Sequence, residues 1–297
     1  MMKAKKNRSA TSIFLFVLLF WMKQSNAQPF FDVANIYWQQ SPNKSLYHSN
    51  ENSLKTNLIS ASLQAAFKVK KDYVIINPFA DYYELRFWEN PKQKLYGIGM
   101  SLTYLKQWKN EKWSTAFVAI PRLNTEMKNV SGNDYQMGGA VLATYKKNEK
   151  LSYKFGVYYN SEHFGALVVP LIGVEWKVSE KLGIFGVFPN QLNLEYKFNK
   201  TFYAGFEANF IINSYRFADD SFLRMDDNHV KIYLDTYLTK NIVLNLQAGQ
   251  SVLRKYRTGV RENGTTHYNE LDVNDGVLFK AGIVYRIRMD EKKEAGN

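Results

Sequence analysis

The chain has 297 residues, 45% of them hydrophobic, a content that fits one large or two ordinary domains and decides no fold class. Its aromatic share of 15%, with 20 Tyr and 20 Phe, is high, and lipid-facing walls and membrane-interface belts use that many rings. The absence of Cys excludes a disulfide framework and a lipid-modified cysteine, and the formal charge of +12 lies largely in turns and tails, which argues against a nucleic-acid partner.

The first element reads as a signal peptide. Lys3, Lys5, Lys6 and Arg8 form a basic stretch, Ile13 to Met22 an apolar run, and Ser25-Asn26-Ala27 a small-residue cleavage site. Cleavage is expected between Ala27 and Gln28. The apolar run is too short to cross a bilayer as a helix, which needs roughly 20 residues. Residues 1–27 carry five basic side chains and no acidic one, so their removal leaves a formal charge of +7. The expected organisation is a signal peptide over 1–27, a barrel over 28–288 and a charged tail over 289–297.

No second apolar run of about 18 residues follows, so a membrane crossing has to rest on strands. Strand periodicity is plain. Phe202, Ala204, Phe206, Ala208, Phe210 and Ile212 share one face, against Tyr203, Gly205, Glu207, Asn209 and Asn213. Ile98, Met100, Leu102 and Tyr104 alternate with small residues, and Val277, Phe279, Ala281, Ile283, Tyr285 and Ile287 alternate with Lys280, Gly282, Arg286 and Arg288.

The connections alternate in length. Short polar turns fall at 68–72, 109–112, 147–150, 179–181, 199–200 and 239–241; longer stretches fall at 41–54, 88–94, 122–133, 160–167, 214–228 and 256–275, with a compact one at 189–191. Outer-membrane barrels show this asymmetry, with short periplasmic turns and longer outer loops. Starting from Phe31 to Gln39, the count reaches about 14 strands, an even number that returns the C-terminus to the periplasm. Aromatic residues gather beside the short turns: Trp108 and Trp113, Tyr145 and Tyr153, Trp176 and Phe185, Phe198 and Phe202, and Tyr237. They predict a periplasmic girdle. Pro78, Pro121, Pro170 and Pro189 are expected at bulges or rims, because each removes a ladder donor.

From Pro170 to Phe217 the chain reads PLIGVEWKVSEKLGIFGVFPNQLNLEYKFNKTFYAGFEANFIINSYRF. Pro170, Gly173, Trp176, the Phe188-Pro189 step and Tyr215-Arg216-Phe217 carry a resemblance to a family of Bacteroidota outer-membrane β-barrels with a domain of unknown function. The resemblance implies fold and location, not activity. Such barrels usually finish on an aromatic residue read by the barrel assembly machinery. Here the charged tail follows Arg288, so either Tyr285-Arg286-Ile287 carries that signal or the last strand lies elsewhere.

The fold class expected is all-β, an antiparallel transmembrane barrel in the cell outer membrane, with surrounding lipid and the assembly machinery as partners. The polar faces predict a lumen lined by Glu84, Arg86, Lys154, Glu175, Lys177, Glu195, Lys197, Glu207, Lys231, Asp235, Lys280 and Arg286. These mixed signs fit either a paired network filling the lumen or a solute path. His48, His163, His229 and His267 fall in expected outer loops. Asp226, Asp227 and His229, in the 218–229 loop, have the residue types of a hydrolytic rim site or a weak Ca²⁺ site, and equally of a solvated acidic loop. No G-x-S-x-G, H-E-x-x-H or P-loop occurs, and neither cofactor nor metal is expected. The leading expectation is non-enzymatic passage or binding of a small solute. A rim hydrolase and a structural or adhesive barrel binding a partner through its outer loops are the alternatives.

Overall fold

The computed structural model describes residues 29–42, 54–87, 92–271 and 273–289. The expected signal peptide with its Ala27/Gln28 junction, His48 and the tail beyond Met289 lie outside the described residues.

Seventeen strand segments form one sheet. Three strands are each broken once, so the sheet contains 14 strands. They are β1 (Phe30–Ser41), β2 (Leu54–Leu63 with Ala65–Val69), β3 (Asp72–Phe87), β4 (Gln93–Gln107), β5 (Trp113–Thr125), β6 (Tyr135–Lys146) and β7 (Leu151–Glu162). There follow β8 (Gly165–Lys177), β9 (Leu182–Phe188), β10 (Gln191–Lys197), β11 (Phe202–Asn209 with Ile212–Arg216), β12 (Phe222–Tyr237), β13 (Ile242–Glu262) and β14 (Thr265–Leu271 with Val277–Arg288). Each strand pairs antiparallel with the next, and β1 pairs with β14 from Phe30↔Arg288 to Gln40↔Phe279. That last ladder closes the cylinder. Both ends of the described chain therefore sit at the rim of the short turns.

The alternation points the apolar side chains outward. Ile172 is 69% exposed, Val168 63% and Phe206 57%, whereas Lys231 is 2% and Asp235 1% exposed. This is a soluble domain inverted, the polarity of a barrel wall in lipid. Trp108, Tyr153, Trp176 and Phe198 stand outward at the short-turn rim, and the Trp113 and Tyr145 rings lie 4.9 Å apart beside them. Two expected girdle members belong inside instead. Phe185 is buried edge-on against Phe30, and Tyr237 packs against Tyr203 in the lumen. Ring proximity to a turn leaves the choice of face to strand parity.

The long outer connections tighten into hairpins. The 160–167 stretch turns at 163–164, 214–228 at 217–221, and 256–275 carries β13 and β14 up to a turn at Asn263 (φ 50°) and Gly264 (φ 81°). Two consecutive left-handed residues match the twist of the flanking strands. Pro189 lies in the turn between β9 and β10, at a rim, while the other three expected prolines lie within strands. Pro78 and Pro170 pair in register within β3 and β8, and around Pro121 the β4–β5 ladder lapses between Gly99↔Arg122 and Leu102↔Ala119 without shifting register. A lost donor is tolerated because neighbouring ladder bonds hold the strand.

Glycines let rings lie flat on the inner wall. A Cβ at Gly282 would strike the Tyr37 ring and the Ile36 carbonyl, and one at Gly205 would strike the Tyr233 ring and the Leu194 carbonyl. Gly282→Ala is expected to cost about 1–3 kcal/mol, since backbone as well as ring must shift. A lowered denaturant midpoint in the heat-modifiable gel shift would show it, and an unchanged midpoint would refute the packing argument.

Candidate functional site

The lumen is built by the inward halves of the strands, and ion pairs fill much of it. At the short-turn end Arg286, on β14, is held between Asp32 of β1 and Asp235 of β12, both at 2.5 Å, and stacks 3.6 Å over the Phe30 ring. Arg288 reaches Glu195 at 2.7 Å and lies 3.8 Å over the Tyr203 ring, while the Tyr233 hydroxyl donates to the same carboxylate. Further up, Lys231 meets Glu207 at 2.6 Å, Gln191 also donates to Glu207, and Lys154 pairs with Glu175. In the outer half Asp227 accepts from Arg254 Nε at 2.9 Å and from the Tyr256 hydroxyl at 2.9 Å, with His229 Nε2 3.1 Å away. Charges removed from water persist only when paired, and each of these carboxylates meets a cation.

The outer mouth is covered. The outer segment of β11, Ile212–Arg216, leaves the wall and meets the opposite side of the barrel. Arg216 bridges to Thr125 of β5 in a parallel pair, and the Glu126 amide donates to the Arg216 carbonyl at 3.3 Å. Side chains reinforce the crossing. Arg122 pairs with Glu162 and donates to Asn213; the Ser214 hydroxyl donates to Glu162 at 2.6 Å and accepts from Gln136 and the His163 amide; Arg216 pairs with Asp134 at 3.3 Å. The Ala218 amide donates to Glu126 at 2.8 Å. The β13–β14 hairpin crosses too, through Thr266 to the Phe164 carbonyl, and Arg224 of β12 lies 4.1 Å over the Phe164 ring. Beneath this lid Leu54, Tyr83, Leu85, Leu95, Tyr215, Leu223, Met225 and Tyr256 form a small apolar core inside the barrel.

Of the residues expected in the lumen, Lys154, Glu175, Glu195, Glu207, Lys231, Asp235, Lys280 and Arg286 point inward, and Lys197 lies at its lower edge, 6.0 Å from the Tyr203 ring. Lys177 shares the inward face but is exposed at the rim, paired with Glu180. Glu84 and Arg86 face outward, because Tyr83 and Leu85 occupy the inward positions of β3. The 16 residues of β3 extend about 40 Å along a tilted barrel axis, longer than the apolar band of about 25 Å typical of outer-membrane barrels, so its outer end would stand above such a band. There the polarity reverses, with apolar residues in and charges out. Asp226, Asp227 and His229 belong to strand β12 instead of a loop. Asp226 pairs with Arg224 and Arg257 at the surface, while Asp227 and His229 are 6% and 2% exposed in the interior, so the three do not converge. His163 and His267 lie on other hairpins than His229. Among the described residues no cluster could hold a metal ion.

Asp32, Asp81, Arg122, Glu162 and Arg254 are lumen residues that the alternation did not single out, and Arg288, on the polar face of the last strand, joins them in the lumen without having been expected there. Asp32 lay within reach, by extending period two to the strand end. Arg122 and Glu162 did not, since they fall where loops were expected.

Fold and interior together define a closed antiparallel barrel, apolar outside, ion-paired inside and lidded at one mouth. The chain belongs to the family described as Domain of unknown function (DUF6268), which it matches over residues 26–286. No curated protein matches it. Among solved structures it is similar to an outer membrane channel of Pseudomonas putida F1, at 10% identity and a TM-score of 0.46, over 86% of this chain and 94% of that one. It is similar to the NanC porin at 8% identity and 0.41, over 86% and 100%, and to the translocator domain of the autotransporter NalP from Neisseria meningitidis at 9% and 0.37, over 93% and 94%. These likenesses are remote.

Two outcomes follow from the pairing. Arg286→Met leaves Asp32 and Asp235 facing each other without a cation, a loss of about 3–5 kcal/mol that a denaturation midpoint would register. Adding Asp32→Asn and Asp235→Asn should recover much of it; a triple variant no more stable than the single one would refute the pairing. The second concerns His163, in the outer turn, whose burial holds its pKa below the ordinary value against the opposing pull of the Asn124 carbonyl and of Glu162 and Asp134. The fold favours neutral His163, so its contribution is complete above the unfolded pKa of about 6.5 and is lost as pH falls below it. Amide exchange at 212–218 should quicken on acidification through that window, and His163→Gln should flatten the response.

Proposed function

We propose that this chain is an outer-membrane barrel that admits a small solute when its lid moves aside. One observation carries the reading: the outer mouth is shut by a folded-in hairpin held through side-chain contacts and a short backbone bridge, not by a continuous wall. A cap of this kind can open without breaking the barrel's own ladders. The outward apolar belt and its rim of aromatic rings support placement in the outer membrane, with lipid as the surrounding partner. The resemblance in residues 170–217 supports a Bacteroidota host. The closing segment Val277–Arg288, with Phe279, Ile283 and Tyr285 outward, supports recognition by the barrel assembly machinery through this strand ahead of the charged tail.

The hydrolytic alternative has no reachable centre. His229 and Asp227 are enclosed with Arg254 on the carboxylate, and Ser251 opposite His229 is occupied by the Gly276 backbone. A lipid or peptide bond has no route to them in this arrangement.

Planar-bilayer recording tests the proposal. The intact protein should be closed or open only briefly, and Arg216→Ala with Arg122→Ala should give stepwise conductance, because the lid's two arginine anchors are removed. Retained heat-modifiable mobility would show that the variant is folded. A folded double variant with no current would sink the proposal.

A further inference from the structure

Six lumen cations are committed to carboxylates: Arg122, Lys154, Lys231, Arg254, Arg286 and Arg288. Lys280 is not. Among the described residues it enters no ion pair, and its Nζ lies 3.8 Å from the centroid of the Tyr37 ring. One lumen carboxylate is in the same position. Asp81, on β3, has the Ser60 hydroxyl as its partner and forms no ion pair among the described residues. Register joins the two: Tyr37 pairs with Gly282 on one side and Ser60 on the other, and Ser60 pairs with Asp81. The Tyr37 ring rests on Gly282, where no Cβ intervenes, and carries the Lys280 ammonium over it.

This sector belongs to the less tightly filled side of the lumen. Lys280, Tyr37, Ser60 and Asp81 are all half-buried, whereas Tyr233, Gln247, Asn245 and Lys231 on the neighbouring wall are at most 8% exposed. Half-burial deep inside a lidded barrel means facing an internal cavity. Unpaired charges are tolerated there only with water or a ligand of matching charge. A lone cation would select anions and a lone carboxylate cations; one of each selects neither.

We propose that Lys280, held over the Tyr37 ring, and Asp81 form a subsite for an amphoteric solute, its carboxylate on Lys280 and its ammonium on Asp81. The span favours charges several bonds apart. The Lys280 head lies over β1 and Asp81 stands two strands further on, about 10 Å of wall at about 4.8 Å per strand. Two charge-assisted hydrogen bonds of about 2.8 Å leave roughly 4–5 Å for the ligand. A short ω-amino acid or a dipeptide meets that spacing better than an α-amino acid. The subsite rests on the reading that solutes reach the lumen.

The experiment measures binding separately from passage. Full-length protein in detergent micelles, carrying Arg216→Ala so that the lid does not limit access, is titrated with 4-aminobutyrate, butyrate and butylamine by calorimetry and saturation-transfer NMR. Saturable 4-aminobutyrate binding is expected, weaker for the two single-charge probes, and reduced about tenfold or more by Lys280→Met or Asp81→Asn. Lys280→Arg keeps the charge and should retain most of the binding, which separates loss of the cation from loss of the fold. Equal binding of all three probes, or binding unchanged by Lys280→Met and Asp81→Asn, would overturn the subsite. Conductance without 4-aminobutyrate binding overturns the subsite and leaves passage standing; binding without conductance supports the subsite and counts against passage.

Discussion

Every backbone donor and acceptor in the wall must be satisfied within the chain, because hydrocarbon offers no partner for an open edge. The β1–β14 ladder meets that requirement by turning a sheet into a cylinder. The rest follows from closure. A cylinder has an inside that lipid cannot fill, so side chains and water must fill it. The strands present their greasy face outward, so the inward complement is polar and largely ionised.

An ionised interior is stable only if its charges meet. Arg286 between Asp32 and Asp235, Arg288 on Glu195 and Lys231 on Glu207 tie together strands that are distant in sequence. Such pairs give a rigid lower barrel more than they give a conduit. The near balance of sign in the lumen leaves no field that would draw one kind of ion. Toward the outer mouth the interior becomes a small ordinary apolar core around Tyr83, Leu85, Tyr215 and Tyr256. The lid is anchored where these two regimes meet, at Arg122, Glu162 and Ser214.

Placement of individual side chains tracked the local environment of each strand. Inward assignment succeeded for Glu195, Glu207, Lys231 and Asp235, which lie at the height of the lipid band, where a charged residue has one place to go. It failed for Glu84 and Arg86 at the outer end of β3, while Lys177 keeps the inward parity but lies exposed at the lower rim. The 218–229 stretch looked like a loop because its acidic residues mimic turn composition. In the structure Arg257 and Arg254, from the neighbouring strand, and Arg224, two residues along the same strand, neutralise Asp226 and Asp227, and the ladder continues.

The sequence alone determined the all-β class, the strand number, the end at which short turns gather and the outward greasy face, since each is written in local period and spacing. Tertiary structure decided which charges meet, that β11 folds across the mouth, and that Lys280 and Asp81 stay without ionic partners. Those outcomes depend on strands brought together by closure, such as β5 with β11 and β1 with β12. Period and spacing along the chain carry no record of them.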